Sequence, residues 1–130
     1  MQLPDAPHDQ LCYARQILDR VGDKWTISVI HSLGTDTKRF TELRRDIDGI
    51  SQRMLTATLR SLERDGLVHR TVHPVVPPRV DYRLTRLGST LSDTVADLMR
   101  WAVYHAPAID AAREAYDNRE PRAEAAVTLP

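Results

Sequence analysis

The spacing of apolar residues changes once along this chain and then changes back, and those two switches limit the folds open to it. Up to Asp65 the apolar residues recur every three or four positions, as on helices. From Leu67 to His73 and from Arg79 to Leu84 Val, Tyr and Thr predominate around the proline-rich turn Pro74 to Pro78, which predicts a hairpin. Helical spacing then returns at Thr85. With 130 residues, 42% of them apolar, the chain can build one core and not two.

Helix boundaries follow from local chemistry. Leu11, Ala14, Ile17 and Leu18 line one face of a first helix that Gly22 stops. Asp23 can cap a second, whose Trp25, Val29, Ile30 and Leu33 face inward until Gly34. After a polar loop from Thr35 to Lys38, Phe40, Leu43 and Ile47 define a third helix with Arg44 and Arg45 on its far side. Ser51 is an N-cap for the fourth, and Ile50 can pack on Leu55 as a hydrophobic staple. The buried face of that helix is predicted to be Met54, Leu55, Leu59 and Leu62, with Gly66 ending it.

Thr85 can cap a closing helix lined by Leu87, Leu91, Val95, Leu98, Met99 and Ala102, which Pro107 should end or bend. Ala108 to Asn118 can form one more helix. The expected organisation is a flexible arm over 1–10, a domain over 11–118 and a disordered tail over 119–130. The fold class is mainly α with a small β-hairpin wing, a winged helix-turn-helix in which 11–21 and 85–118 serve as dimerisation helices.

The formal net charge of zero conceals a segregation. Between Lys38 and Arg86 there are 11 Lys or Arg against 6 Asp or Glu, while the remainder has 7 against 12. A basic middle framed by acidic ends suits contact with a polyanion. No apolar run approaches the roughly 20 residues that span a bilayer, Met1 to Gln10 do not read as a signal peptide, and a cytoplasmic location without membrane contact is expected. Cys12 is the lone cysteine, so any disulfide must join two molecules.

Removing the buried side of the fourth helix leaves Gln52, Arg53, Thr56, Ala57, Arg60 and Arg64 outward, with no acid before Glu63 and Asp65. Gln pairs with adenine, Arg with guanine, and Thr or Ala methyl groups can meet thymine, while the helix N-terminus attracts phosphate near Ser51. The competing reading is an ordinary solvated face. Arg39 and Arg44 before this helix and Arg70 and Arg79 on the wing are candidate phosphate contacts, although Arg79 could instead pair with Asp81. His69 and His73 lie four apart on one strand with no third ligand evident, so no metal and no cofactor are expected. Neither a glycine-rich phosphate loop nor a catalytic constellation is present, so the chain does not read as an enzyme.

Five segments resemble the HxlR family of bacterial regulators, winged-helix proteins related to the MarR group. They are Gly22-Asp23-Lys24-Trp25, Arg39-Phe40-Thr41-Glu42-Leu43, Gly49-Ile50-Ser51-Gln52-Arg53-Met54-Leu55, Leu62-Glu63-Arg64-Asp65-Gly66-Leu67-Val68 and Val76-Pro77-Pro78-Arg79-Val80-Asp81-Tyr82-Arg83-Leu84-Thr85. The resemblance covers roughly Cys12 to Trp101. It implies a homodimer joined through first and last helices that presents two recognition helices to a palindromic double-stranded operator, as repressor or activator. Leu11, Leu91, Val95, Leu98 and Trp101 are the candidate interface residues, with Trp101 as plain core the alternative.

Some members of that family carry a lone cysteine that senses oxidants or electrophiles, and Cys12 matches it. Arg15 would favour its thiolate and Asp9 would oppose it; a small buried hydrophobe is the other reading. A small-molecule effector has room in such a fold, but nothing here identifies it. The rival function is a winged-helix module for protein contact, with the basic face against an acidic partner.

Overall fold

Capping side chains set the helix starts. The computed structural model describes the backbone of residues 8–128 and the side chains of residues 8–119. Helix α1 spans His8–Val21 and α2 spans Lys24–Leu33, where Asp23 accepts from the Trp25 N–H at 2.7 Å. Strand β1 is the pair Lys38–Arg39, and α3 follows at once over Phe40–Asp46. Helix α4 runs Gln52–Arg64, β2 Val68–His73, β3 Arg79–Leu84 and α5 Arg86–Thr128.

Helix α4 ends in a two-bond Schellman motif. The Leu67 N–H reaches the Leu62 carbonyl at 2.9 Å, and the Gly66 N–H reaches Glu63 at 3.0 Å. Gly66 sits at φ +78°, where a Cβ would be strained. The chain leaves this turn as β2, and Thr85 ties its far end back. Its hydroxyl donates to the Gly66 carbonyl at 2.6 Å and accepts from the Gly88 N–H at 3.0 Å, which caps α5 against the end of α4.

The sheet order is β1-β3-β2, antiparallel throughout. The expected hairpin is joined by a third strand, which takes in Lys38 from the end of the predicted loop. Lys38 pairs with Tyr82 and Arg39 with Asp81. A two-residue strand has no period to read, and its partner lies some forty positions away.

The core belongs to the unit that ends at Val95. Val29, Ile30 and Leu33 of α2 pack with Leu43 and Ile47, with Leu55, Leu59 and Leu62 of α4, and with Val68 and Leu84 of the wing. Two expectations about side chains change. Met54 is 41% exposed, and Thr58 takes the inner position instead. Val95 is 6% exposed within the core, so it offers no surface to a partner.

Two expectations about boundaries change as well. Helix α1 begins at His8, inside the predicted arm, whose Met1–Pro7 lie outside the described residues; none of its described residues is buried. Helix α5 neither ends nor restarts at Pro107 and carries on to Thr128, across most of the predicted tail, whose last two residues lie outside the described residues. Proline deletes one helical hydrogen bond, but alanines at 102, 106, 108, 111 and 112 give the surrounding turns the highest helix propensity available. From Ala96 onward α5 forms a unit of its own with Leu98, Trp101, Val103 and Tyr104 exposed. His105 stacks there beside Trp101 and Tyr104, each at 4.9 Å between ring centroids.

Candidate nucleic-acid interface

Ser51 accepts the Met54 N–H at 3.1 Å and fixes where α4 begins. With Leu55, Thr58, Leu59 and Leu62 turned inward, the 3.6-residue period brings Arg53, Ala57, Arg60 and Arg64 onto one exposed stripe. Gln52, Arg53, Thr56, Ala57 and Arg60 line a shallow depression around the small Ala57. Thr56 is half-buried, and its hydroxyl donates to the Gln52 carbonyl at 2.8 Å.

The acids that close this helix are both occupied. Glu63 meets Arg70 of β2, Oε1 to Nε at 3.3 Å, and Asp65 meets Arg20 of α1, Oδ1 to Nη1 at 2.6 Å. The arginine stripe is therefore left without a local counter-charge, while Arg70, expected to be free for phosphate, is partly engaged. Thr56, Leu59, Arg60, Glu63, Arg70 and Tyr82 bound a cleft of about 250 Å³ between helix and wing. Burial pushes the Tyr82 phenol up, so its hydroxyl stays neutral and can both donate and accept.

On α3, Arg44 and Arg45 are exposed in the last turn, and the Arg39 N–H donates to Glu42 at 3.0 Å. Lys38 is not free: its Nζ lies 2.7 Å from Asp46 and holds that carboxyl below the usual carboxylate range. Arg79 does pair with Asp81, Nε to Oδ1 at 3.6 Å, and Asp81 also receives His73 Nε2 at 2.8 Å. The His73–Asp81 bond depends on the hairpin register, which residue spacing alone does not disclose. Among the described residues no group of three or more His, Cys, Asp or Glu is placed to hold a metal ion.

Cys12 is exposed on α1 with its Sγ 3.5 Å from His8 Nε2. That neighbour lies one helical turn away, in the three residues by which α1 extends ahead of its predicted start at Leu11. Leu11 is 38%, Leu98 55% and Trp101 54% exposed, which removes the core reading of Trp101, whereas Leu91 packs partly against the core. An apolar groove of about 700 Å³ runs between α1, the end of α4 and the start of α5, floored by Ile17, Leu18, Leu67, Leu87 and Leu91.

Two short helices with the second bearing an unopposed basic stripe, followed by a three-stranded wing, define a winged helix-turn-helix domain. Residues 20–110 match the HxlR-like helix-turn-helix family, and the chain belongs to it. It is 41% identical over 103 residues to an uncharacterized HTH-type transcriptional regulator, YtfH of Escherichia coli, covering 79% of this chain and 82% of that one. The solved structure of the putative transcriptional regulator ytfH from Salmonella typhimurium superposes with a TM-score of 0.72 at 42% identity, covering 78% of this chain and 90% of that one. The redox regulator HypR in its reduced form superposes at 0.71 with 39% identity, covering 76% and 98%. Among the described residues no helix is long and apolar enough to cross a membrane.

Proposed function

We propose that this DNA-binding transcription regulator reads a palindromic operator as a homodimer, with α4 in the major groove. The observation that carries this reading is the α4 stripe: Arg53, Ala57, Arg60 and Arg64 exposed beside Gln52, with both nearby acids ion-paired elsewhere. Gln52 and Arg53 read bases near the Ser51-capped end, and Arg39, Arg44, Arg70 and Arg79 hold phosphate. The exposed apolar residues of α1 and α5, Leu11, Leu98 and Trp101 among them, join the two copies, and Leu91 lies at the edge of that contact. Repression or activation follows from where the operator lies, and the protein works in the cytoplasm without catalysis of its own.

Cys12 gives the dimer an oxidant-responsive thiol. Its exposure and the His8 imidazole beside it support this, as does the likeness to a redox regulator. Any further effector would use the groove beneath α1.

A fluorescence titration against a pool of promoter fragments tests the reading, run with reduced and oxidised protein and with Cys12→Ser. Tight binding that weakens steeply with salt is expected, with oxidation changing the affinity of the natural chain alone. Absence of salt-sensitive binding in every sample would overturn the DNA reading. An identical oxidant response in Cys12→Ser would remove the thiol from it.

A further inference from the structure

One face of the wing carries three arginines, two histidines and a single acid. The register sets His69 opposite Arg83, Thr71 opposite Asp81 and His73 opposite Arg79, and β1 adds Arg39 across from Asp81. Residues opposite one another in an antiparallel pair share a face, and alternate positions return to it. The other face, with Val68, Tyr82 and Leu84, turns to the core.

Asp81 is the hub of the charged face. Its side chain is 17% exposed, with Oδ2 2.8 Å from His73 Nε2 and Oδ1 3.6 Å from Arg79 Nε. A carboxylate only accepts, so Nε2 of His73 carries the proton in that bond. The Arg79 Nε is screened from solvent without a hydrogen-bond partner, and among the described residues neither terminal nitrogen of Arg79 makes a hydrogen bond. The guanidinium is thus held on its Nε side by charge alone, with its terminal nitrogens uncommitted.

We propose that Asp81 is a positioning residue that divides its charge between Arg79 and His73, so that proton uptake by His73 tightens the wing's hold on duplex DNA. The proposal rests on the reading above that Arg79 lies against phosphate. With His73 neutral, Asp81 and Arg79 cancel and the trio is uncharged. With His73 protonated, the nearer imidazolium takes the carboxylate, and the trio gains a unit of positive charge at the wing tip. Imidazole is the side chain whose charge ordinarily changes between about pH 5 and 8. Arg39, Arg83 and His69 share the face, Asp81 is the one acid on the strands themselves, and Glu42 of α3 lies beside it, accepting the Arg39 backbone N–H at 3.0 Å.

The test is fluorescence anisotropy of a mixed-sequence duplex of about three helical turns, labelled with a dye insensitive to pH. The full chain, His73→Gln and Asp81→Asn are compared from about pH 8 to about pH 6. Gln keeps an N–H for Asp81 and cannot take the proton. The natural chain is expected to bind roughly tenfold tighter at the lower pH, with a salt slope steeper by about one per wing. His73→Gln should lose most of that gain. Asp81→Asn should tighten binding across the range, because it removes the counter-charge beside Arg79; a merely structural role would weaken binding instead. Identical profiles for the natural chain and His73→Gln, or no tighter binding in Asp81→Asn, would overturn the proposal. A natural chain that binds no duplex at any pH would instead sink the DNA reading beneath it.

Discussion

Arg20, in the last turn of α1, places its Nη1 2.6 Å from Oδ1 of Asp65, the residue that caps the end of α4. A carboxylate at a helix C-terminus faces the negative end of the dipole and is disfavoured there. Arg20 offsets that charge and ties an otherwise unburied helix to the one that carries the basic stripe. A pair this exposed contributes little on its own, so a double-mutant cycle of Arg20→Ala and Asp65→Ala in urea should give a coupling of about 0.5 kcal/mol that fades as salt rises. Zero coupling at low salt would show that the two side chains do not hold each other in solution.

Gly88 is where α5 meets the start of the wing. A Cβ there would lie 2.0 Å from the Leu67 carbonyl oxygen and 3.3 Å from the Leu84 Cβ, and the backbone oxygen cannot step aside. Gly88→Ala should therefore destabilise the domain by about 3 kcal/mol or more, read as a fall in the urea midpoint. Ser89→Ala, one position along on the exposed side, should stay within about 0.5 kcal/mol of the natural chain. Equal effects at the two positions would mean that α5 does not pack against Leu67 as described.

The Lys38–Asp46 pair links stability to pH in a definite direction. The hydrogen bond from Lys38, aided by the lysine's charge and opposed by desolvation, lowers the Asp46 carboxyl. A carboxyl lowered on folding stabilises the native state above its unfolded value, about 3.9, and loses that contribution as pH falls through the folded value below it. Asp46→Asn should accordingly flatten the stability profile between about pH 5 and pH 2 and leave its shape above that window unchanged. An unaltered acid limb would place the pair apart in solution.

Much of this architecture was legible because the chain marks its own boundaries. Asp23, Ser51 and Thr85 each cap the helix they precede, and Gly66 adopts the positive φ that a Schellman turn requires. What the sequence hid was tertiary. Met54 lies where the two faces of α4 meet, so helical spacing alone does not decide its side, and its neighbours left it outside. Val95 shows only that it is apolar, and whether it covers its own core or a partner depends on how α5 lies on the wing. The Asp81 hub needs the hairpin register, which the five-residue proline turn does not disclose. Strand β1 is too short to have a pattern. The outward residues of α4 were readable in advance; the engagement of Glu63 and Asp65, which leaves that stripe unopposed, was not.

The comparison of Arg53→Ala with Arg79→Ala on specific and random duplexes tests the central claim most directly. A base-reading Arg53 makes its substitution lower affinity for the selected operator by about 1 to 3 kcal/mol and relax base preference, with little effect on random DNA. Arg79→Ala should weaken both duplexes alike and reduce the salt slope. Equal losses on operator and random DNA for Arg53→Ala would contradict the account, reducing the α4 stripe from a reader of sequence to one more phosphate contact.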